Sequence, residues 1–251
     1  MSDTSRTTTT RSAALGSTAM SRTPQEAQPV FLFYSGKGGV AKSTEALKFN
    51  YHCIKAGKVP TLADADFIVQ DLILAHHQEQ DCHPIKLSEE DGFTALADVI
   101  ASTQAGSPII VSCPGGQAEI FNDNAPVILI AARNAGRRVI VMSPMDLHVN
   151  SYSHVPEVEQ AMPEAEIYLV RPRWFGRPEQ FVAFNASQLG KRYLAAERVI
   201  DVPLMPAALA RAFKDGEHSL HWIELNGSGG EKASLEAWRE KSRRAYARFL
   251  G

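Results

Sequence analysis

Short apolar blocks recur along the chain, each bounded by turn-forming or polar residues. They are Val30-Phe31-Leu32-Phe33-Tyr34, Val59 to Ala63, Pro108 to Val111, Arg138 to Met142, Ile167 to Val170, and Val199 to Val202. Blocks of this length, rich in Val and Ile, predict strands buried on both faces. The stretches between them carry apolar residues at helical spacing. Ser43 to Ala56 predicts a first helix closed by Gly57, and Val127 to Ala135 another closed by Gly136. Ile68 to His76 and Phe93 to Ala101 predict two more, with a polar loop around Asp81 between them. Strand and helix alternating throughout predict an α/β fold, a mostly parallel twisted sheet with helices on both faces. Residues 1–28 are Thr/Ser-rich and show no such periodicity. They are expected to form a disordered tail, with Met20 an alternative start, ahead of one folded domain over 29–251.

Composition narrows the class. The chain has 251 residues, 44% hydrophobic and 22% charged, with a net charge of −2, which fits a soluble globular protein without a global nucleic-acid signature. Cys53, Cys82 and Cys113 are widely spaced, which argues against a disulfide framework or an Fe–S site and predicts a reducing, cytoplasmic setting. The longest apolar run, around Ala125 to Ala132, is too short to span a bilayer. His76, His77, Cys82 and His83 match no standard zinc spacing and are expected in a plain polar loop.

The chemistry concentrates between the first strand and the first helix, in Gly36-Lys37-Gly38-Gly39-Val40-Ala41-Lys42-Ser43-Thr44. Strand, glycine-rich turn, then a helix opening on Lys-Ser-Thr is the context of a phosphate-binding loop. Its backbone N–H groups and the helix dipole favour an anion, Lys42 reaches the outer phosphates, and the Ser43 hydroxyl can ligate Mg²⁺. Ala41 stands where such loops usually carry a second glycine, and it is tolerable there only with a negative φ, since a positive one costs about 1 kcal/mol or more. The second predicted strand runs into Asp64-Ala65-Asp66, an acidic pair at the distance a nucleotide-binding βαβ unit requires.

With Lys37 directly before Gly38-Gly39, the loop resembles the deviant Walker A sequence (K-G-G-x-x-K-[ST]) of the ParA/MinD family of P-loop ATPases. That resemblance implies a P-loop NTPase fold, ATP and Mg²⁺ as cofactors, and the whole of Gly36 to Thr44 around the phosphates. It implies further that Asp66 lies at the metal and organises the attacking water, and that Lys37 reaches the partner's nucleotide in a nucleotide-dependent homodimer. Two positions depart from the family. Its third strand usually ends in an Asp that serves Mg²⁺, where this chain has Ser112. Its base reader is often an Asn, where this chain has Arg171, which is therefore placed near the base. The run from Phe175-Gly176 to Val202-Pro203-Leu204 is similar to the StbB/TraL-type ATPases of conjugative plasmids.

The segment Glu231 to Gly251 carries six basic residues against three acidic ones, with Leu235, Trp238, Ala245 and Phe249 close to one helical face. A basic amphipathic helix can lie on DNA or anionic lipid, or pack its stripe on the sheet. The sequence thus supports an ATP-operated dimer switch with slow hydrolysis, acting on plasmid DNA positioning, partition or conjugative transfer through an unidentified partner protein. The alternative, favoured by Ser112 and Ala41, is a nucleotide-binding scaffold deficient in hydrolysis.

Overall fold

The computed structural model describes residues 27–66, 70–214 and 218–250. Most of the predicted tail, with Met20, lies outside the described residues, as do Ile68 and Val69 at the start of one predicted helix. Among the described residues the strands are β1 (Val30–Phe33), β2 (Thr61–Asp64), β3 (Cys82–Pro84), β4 (Ile109–Ser112), β5 (Val139–Pro144), β6 (Glu166–Pro172) and β7 (Val199–Val202). The helices of the first half are α1 (Lys42–Lys55), α2 (Asp71–His76), α3 (Glu90–Ser102), α4 (Ala118–Asn134) and α5 (Val155–Ala161). They are followed by α6 (Val182–Ala186), α7 (Gln188–Ala195), α8 (Ala207–Lys214), α9 (Leu220–Asn226) and α10 (Gly229–Leu250).

The strands form one seven-stranded sheet in the order β3-β2-β4-β1-β5-β6-β7, and every neighbouring pair is parallel. Alternation within β1 explains its continuous apolar sequence. Val30 and Leu32 face one core with Phe93, Phe121 and Val155, while Phe31 and Phe33 face the other with Phe49, Trp238 and Tyr246. This P-loop NTPase architecture places β1 between β4 and β5, so the chain leaves in opposite directions on its two sides. In open parallel sheets the crevice at the carboxyl ends of such strands is where ligands bind.

Three elements depart from the sequence expectation. The polar loop around Asp81 contains a strand, β3, held to β2 with Leu62 opposite Cys82. As a short edge strand with its residues half-buried or exposed, it has no buried face to require apolar alternation in its sequence. Among the described residues no group of three His, Cys, Asp or Glu side chains is placed to hold a metal ion. The predicted helix from Val127 starts instead at Ala118 and runs through Pro126. Phe121, Ala125, Ile128, Leu129 and Ala132 all bury, and this continuous stripe outweighs the missing proline N–H. Similarly, α3 begins at Glu90 rather than Phe93, with Glu90 and Asp91 favourable in its first turn.

The last helix packs its stripe on the fold. Leu235, Trp238 and Tyr246 are buried, and Phe249 packs against Phe31, Phe49 and Tyr168. Polar bonds fix it to α1: His52 Nε2 lies 2.8 Å from Ser242 Oγ, and the Tyr246 hydroxyl donates to Glu45 at 3.1 Å. Burial pushes the His52 imidazole down to about 4, so it is neutral at neutral pH. Lys241, Arg243 and Arg244 remain exposed on the opposite face. No helix among the described residues is long and apolar enough to cross a membrane.

Candidate functional site

The loop begins where β1 runs out of neighbours. Tyr34 is buried against Phe121, with ring centroids 4.0 Å apart, and the chain then turns outward at Gly36. Gly38 and Gly39 are exposed, Gly39 has φ +75°, and Ala41 has φ 70° and ψ 31° immediately before α1 starts at Lys42. No protein acceptor takes the N–H groups of Gly38, Gly39, Val40 or Ala41 among the described residues, and no side chain caps α1. A cluster of unsatisfied donors at the positive end of a helix is an anion site.

Lys42 stands inside this cluster. It is buried, at 7% exposure, and its ammonium makes no hydrogen bond or ion pair among the described residues. Burial lowers its pKa, although Cys113 and Asp66 act in the other direction. An uncompensated buried cation is unfavourable, and a phosphate would supply the missing charge. Gly115, in the turn after β4, presses on the same loop. A Cβ there would stand 2.9 Å from Gly38 Cα and 3.1 Å from Lys42 Nζ.

Of the two conformations open to Ala41, the structure has the costly one, with φ 70°. Its left-handed conformation costs an L-residue about 1 kcal/mol or more, and it is held because α1 must start there with its N–H groups facing the loop. Ala41→Gly is therefore expected to stabilise the ligand-free protein by about 1 kcal/mol, a rise in Tm of about 2–4 °C for a chain of this size. A lower melting temperature by calorimetry would refute the strain.

The acidic pair divides. Asp64 turns into the fold, accepting N–H bonds from Leu72 at 2.8 Å and Asp66 at 3.3 Å, and burial pushes its carboxyl up to about 6. Asp64 thus anchors the start of α2. Asp66 is half-buried on the Lys42 side. Across from it, the Ser112 hydroxyl donates to Ser43 Oγ at 3.2 Å. Ser43, Ser112 and Asp66 are hard oxygen donors of the kind Mg²⁺ takes, too few to bind it without phosphate oxygens and water.

Lys37 Nζ lies 2.5 Å from Asp146 Oδ2, just beyond β5. Burial would raise the Asp146 pKa, but the bonds from Lys37 and from the His148 N–H outweigh it and lower it. Below the loop, His154 packs against Gly36, where an added Cβ would meet its ring at 3.1 Å. Burial, with Lys42 nearby, pushes its imidazole down to about 4. Arg171 departs from the expectation that it faces a base. Its guanidinium grips both carboxylate oxygens of Asp201 at 2.8 and 2.9 Å and the Asn185 amide oxygen at 3.0 Å. A register pairing explains this, since Arg171 on β6 sits opposite Asp201 on β7. A cavity of about 400 Å³ opens beside the loop, bounded by Ala41, Thr44, Trp174, Phe175, Leu204 and Met205, and Arg171 is not in its wall.

Sequence reasoning did not find Asp146, Gly115 or His154 as members of the site. Asp146 had the only usable signal, an acid just past the carboxyl end of a central strand. The other two act through packing, which a motif does not display.

A ParA/MinD-like P-loop fold is what the sheet order and loop define. No protein-family model matches the chain. It is similar to Protein MobD of Acidithiobacillus ferrooxidans, 20% identical over 221 residues that make up 87% of this chain and 96% of that protein. Among solved structures it resembles the MinC:MinD cell division protein complex of Aquifex aeolicus, with a TM-score of 0.52, 16% identity, and coverage of 86% of this chain and 96% of the other. A nucleotide-binding protein of Archaeoglobus fulgidus in complex with ADP aligns with a TM-score of 0.49 and 14% identity, over 76% of this chain and 88% of that one.

Proposed function

We propose that this protein is a nucleotide-operated dimer switch that binds ATP with Mg²⁺ at Gly36 to Thr44. The observation that carries the reading is Lys42, a buried cation that makes no ion pair or hydrogen bond among the described residues, beside loop N–H groups with no acceptor among them. The loop backbone and Lys42 hold the phosphates, Ser43 and Asp66 hold the metal and its water, and Ser112 supports Ser43. When bound, Mg²⁺ neutralises charge on the phosphate oxygens and polarises them. Asp66 orients the attacking water. Ser112 contributes a hydroxyl where an acid would add negative charge, so turnover is slow.

Leu147, Val149, Trp174 and Leu204 are exposed at 38, 54, 72 and 57% around the mouth of the loop, an apolar rim that supports face-to-face association of two copies. In that dimer Lys37 leaves Asp146 and reaches the partner's nucleotide. The exposed Lys241, Arg243 and Arg244 of α10 offer DNA or an anionic membrane an electrostatic contact. The biological setting we infer is plasmid DNA positioning, partition or conjugative transfer in the cytoplasm, with a further partner protein. The second reading, a scaffold that binds nucleotide without turning it over, is favoured by Ser112. Size-exclusion chromatography with no nucleotide, ADP and a slowly hydrolysed ATP analogue tests the switch. A dimer with the analogue alone, together with slow phosphate release from ATP, is expected. A monomer in all three conditions rejects the switch, and a dimer without phosphate release selects the scaffold.

A further inference from the structure

The cavity beside the loop has walls of two kinds. Toward the loop stand Gly39, Ala41 and Thr44; away from it the surface is made by Trp174, Phe175, Leu204 and Met205. Trp174 is 72% exposed, an aromatic face that the fold itself leaves uncovered. Two charged residues of α1 also border the cavity, but they satisfy one another. Lys48 Nζ donates to Glu45 Oε1 at 2.6 Å, and the second Glu45 oxygen accepts from Tyr246 at 3.1 Å. Asp71, the remaining acid in the wall, stands by Asp66 on the side of Lys42. Arg171 is occupied by Asp201 and Asn185. Among the described residues, the part of the cavity made by Trp174, Phe175, Leu204 and Met205 therefore offers apolar surface and no side-chain hydrogen-bonding group beyond the indole N–H of Trp174.

We propose that this cavity takes the nucleoside half of a bound nucleotide, that its base is held by stacking on Trp174, and that it selects purines as a class rather than adenine in particular. The inference rests on the reading of Gly36 to Thr44 as a phosphate loop. Stacking tolerates any base with a broad π-face, and apolar walls reject a near-isostere weakly, because no buried polar group is left unpaired by the wrong ring. A guanine nucleotide then binds nearly as well as an adenine nucleotide. The smaller pyrimidine ring covers less of the indole and binds more weakly.

Isothermal titration of the full chain with ADP, GDP, UDP and inorganic pyrophosphate, each with Mg²⁺, separates these claims. ADP and GDP are expected to bind within tenfold of each other and UDP at least tenfold more weakly than either. Trp174→Ala is expected to weaken ADP and GDP by tenfold or more and leave pyrophosphate unchanged, and Trp174→Phe to restore most of the loss. Because Trp174 is exposed, its removal leaves the core intact. A preference for ADP over GDP above tenfold overturns the purine-class claim, and an unchanged ADP affinity in Trp174→Ala overturns the stacking claim. In both cases pyrophosphate binding preserves the phosphate loop. Failure of pyrophosphate and every nucleotide to bind rejects the loop and the inference together.

Discussion

Lys42→Ala is expected to weaken binding of Mg²⁺-nucleotide a hundredfold or more without weakening the fold. Charge-assisted contacts to phosphate in a partly desolvated site are among the strongest a side chain makes, and no other cation in the loop is buried as Lys42 is. The stability half of the prediction is less usual. In the free protein the ammonium is desolvated and makes no ion pair among the described residues; burial outweighs the pull of Cys113 and Asp66, so its charge is a cost to the native state. Lys42→Met, which keeps the volume and removes the charge, is expected to melt at or above the wild-type temperature. Wild type at a hundredfold excess of ligand over Kd gains about 2.7 kcal/mol, a rise of roughly 5–10 °C, and either variant loses that rise. The check is a pair of thermal melts with and without ADP. A Lys42→Met protein that melts well below wild type without ligand would show that the ammonium has a structural partner, and undiminished ADP affinity would defeat the phosphate site itself.

The second large effect is expected at Lys37. In the free protein its ammonium is paired with Asp146, with side-chain exposures of 27 and 12%. A pair this close to solvent contributes at most about 1 kcal/mol. Lys37→Ala should therefore fold normally and bind ATP analogue within a few-fold of wild type. On the proposed mechanism it should lose association of two copies, because the cation that would cross to the partner's phosphates is gone. Sedimentation velocity with the analogue is the measurement. A variant that still dimerises removes Lys37 from the interface, and one that neither dimerises nor binds nucleotide assigns it to its own site.

Much of the fold was legible because a sheet buried on both faces writes itself as apolar blocks. Six of the strands coincide with such blocks, from Val30 to Val202, and the turn after β1 announced the loop. What escaped was whatever the pattern does not encode. The edge strand β3 is defined by backbone pairing to Leu62 and Ala63, which any side chain permits. Pro126 masked the first half of α4, since local propensity spoke against a helix that tertiary burial enforces. At the site, the residue types of the loop were plain, but their states were not. The left-handed φ at Ala41, the capture of Arg171 by Asp201, and the turning of Asp64 toward α2 all follow from register and packing across separate elements. The apolar stripe of the last helix was visible, but its seat on α1 depends on Glu45 and His52, far away in sequence.

That seat has a consequence for how the chain is made. Glu45 and His52 are 201 and 190 residues from their partners Tyr246 and Ser242. At about 5–20 residues per second, synthesis leaves α1 without this cover for roughly 10–40 s. Phe49, whose ring packs on Phe31 and Phe33 as well as on Tyr246 and Phe249, lacks the last two of these neighbours for the whole interval. The face of α1 that α10 covers is thus among the last parts of the core to be sheltered, and anything that binds nascent apolar helices meets that face first.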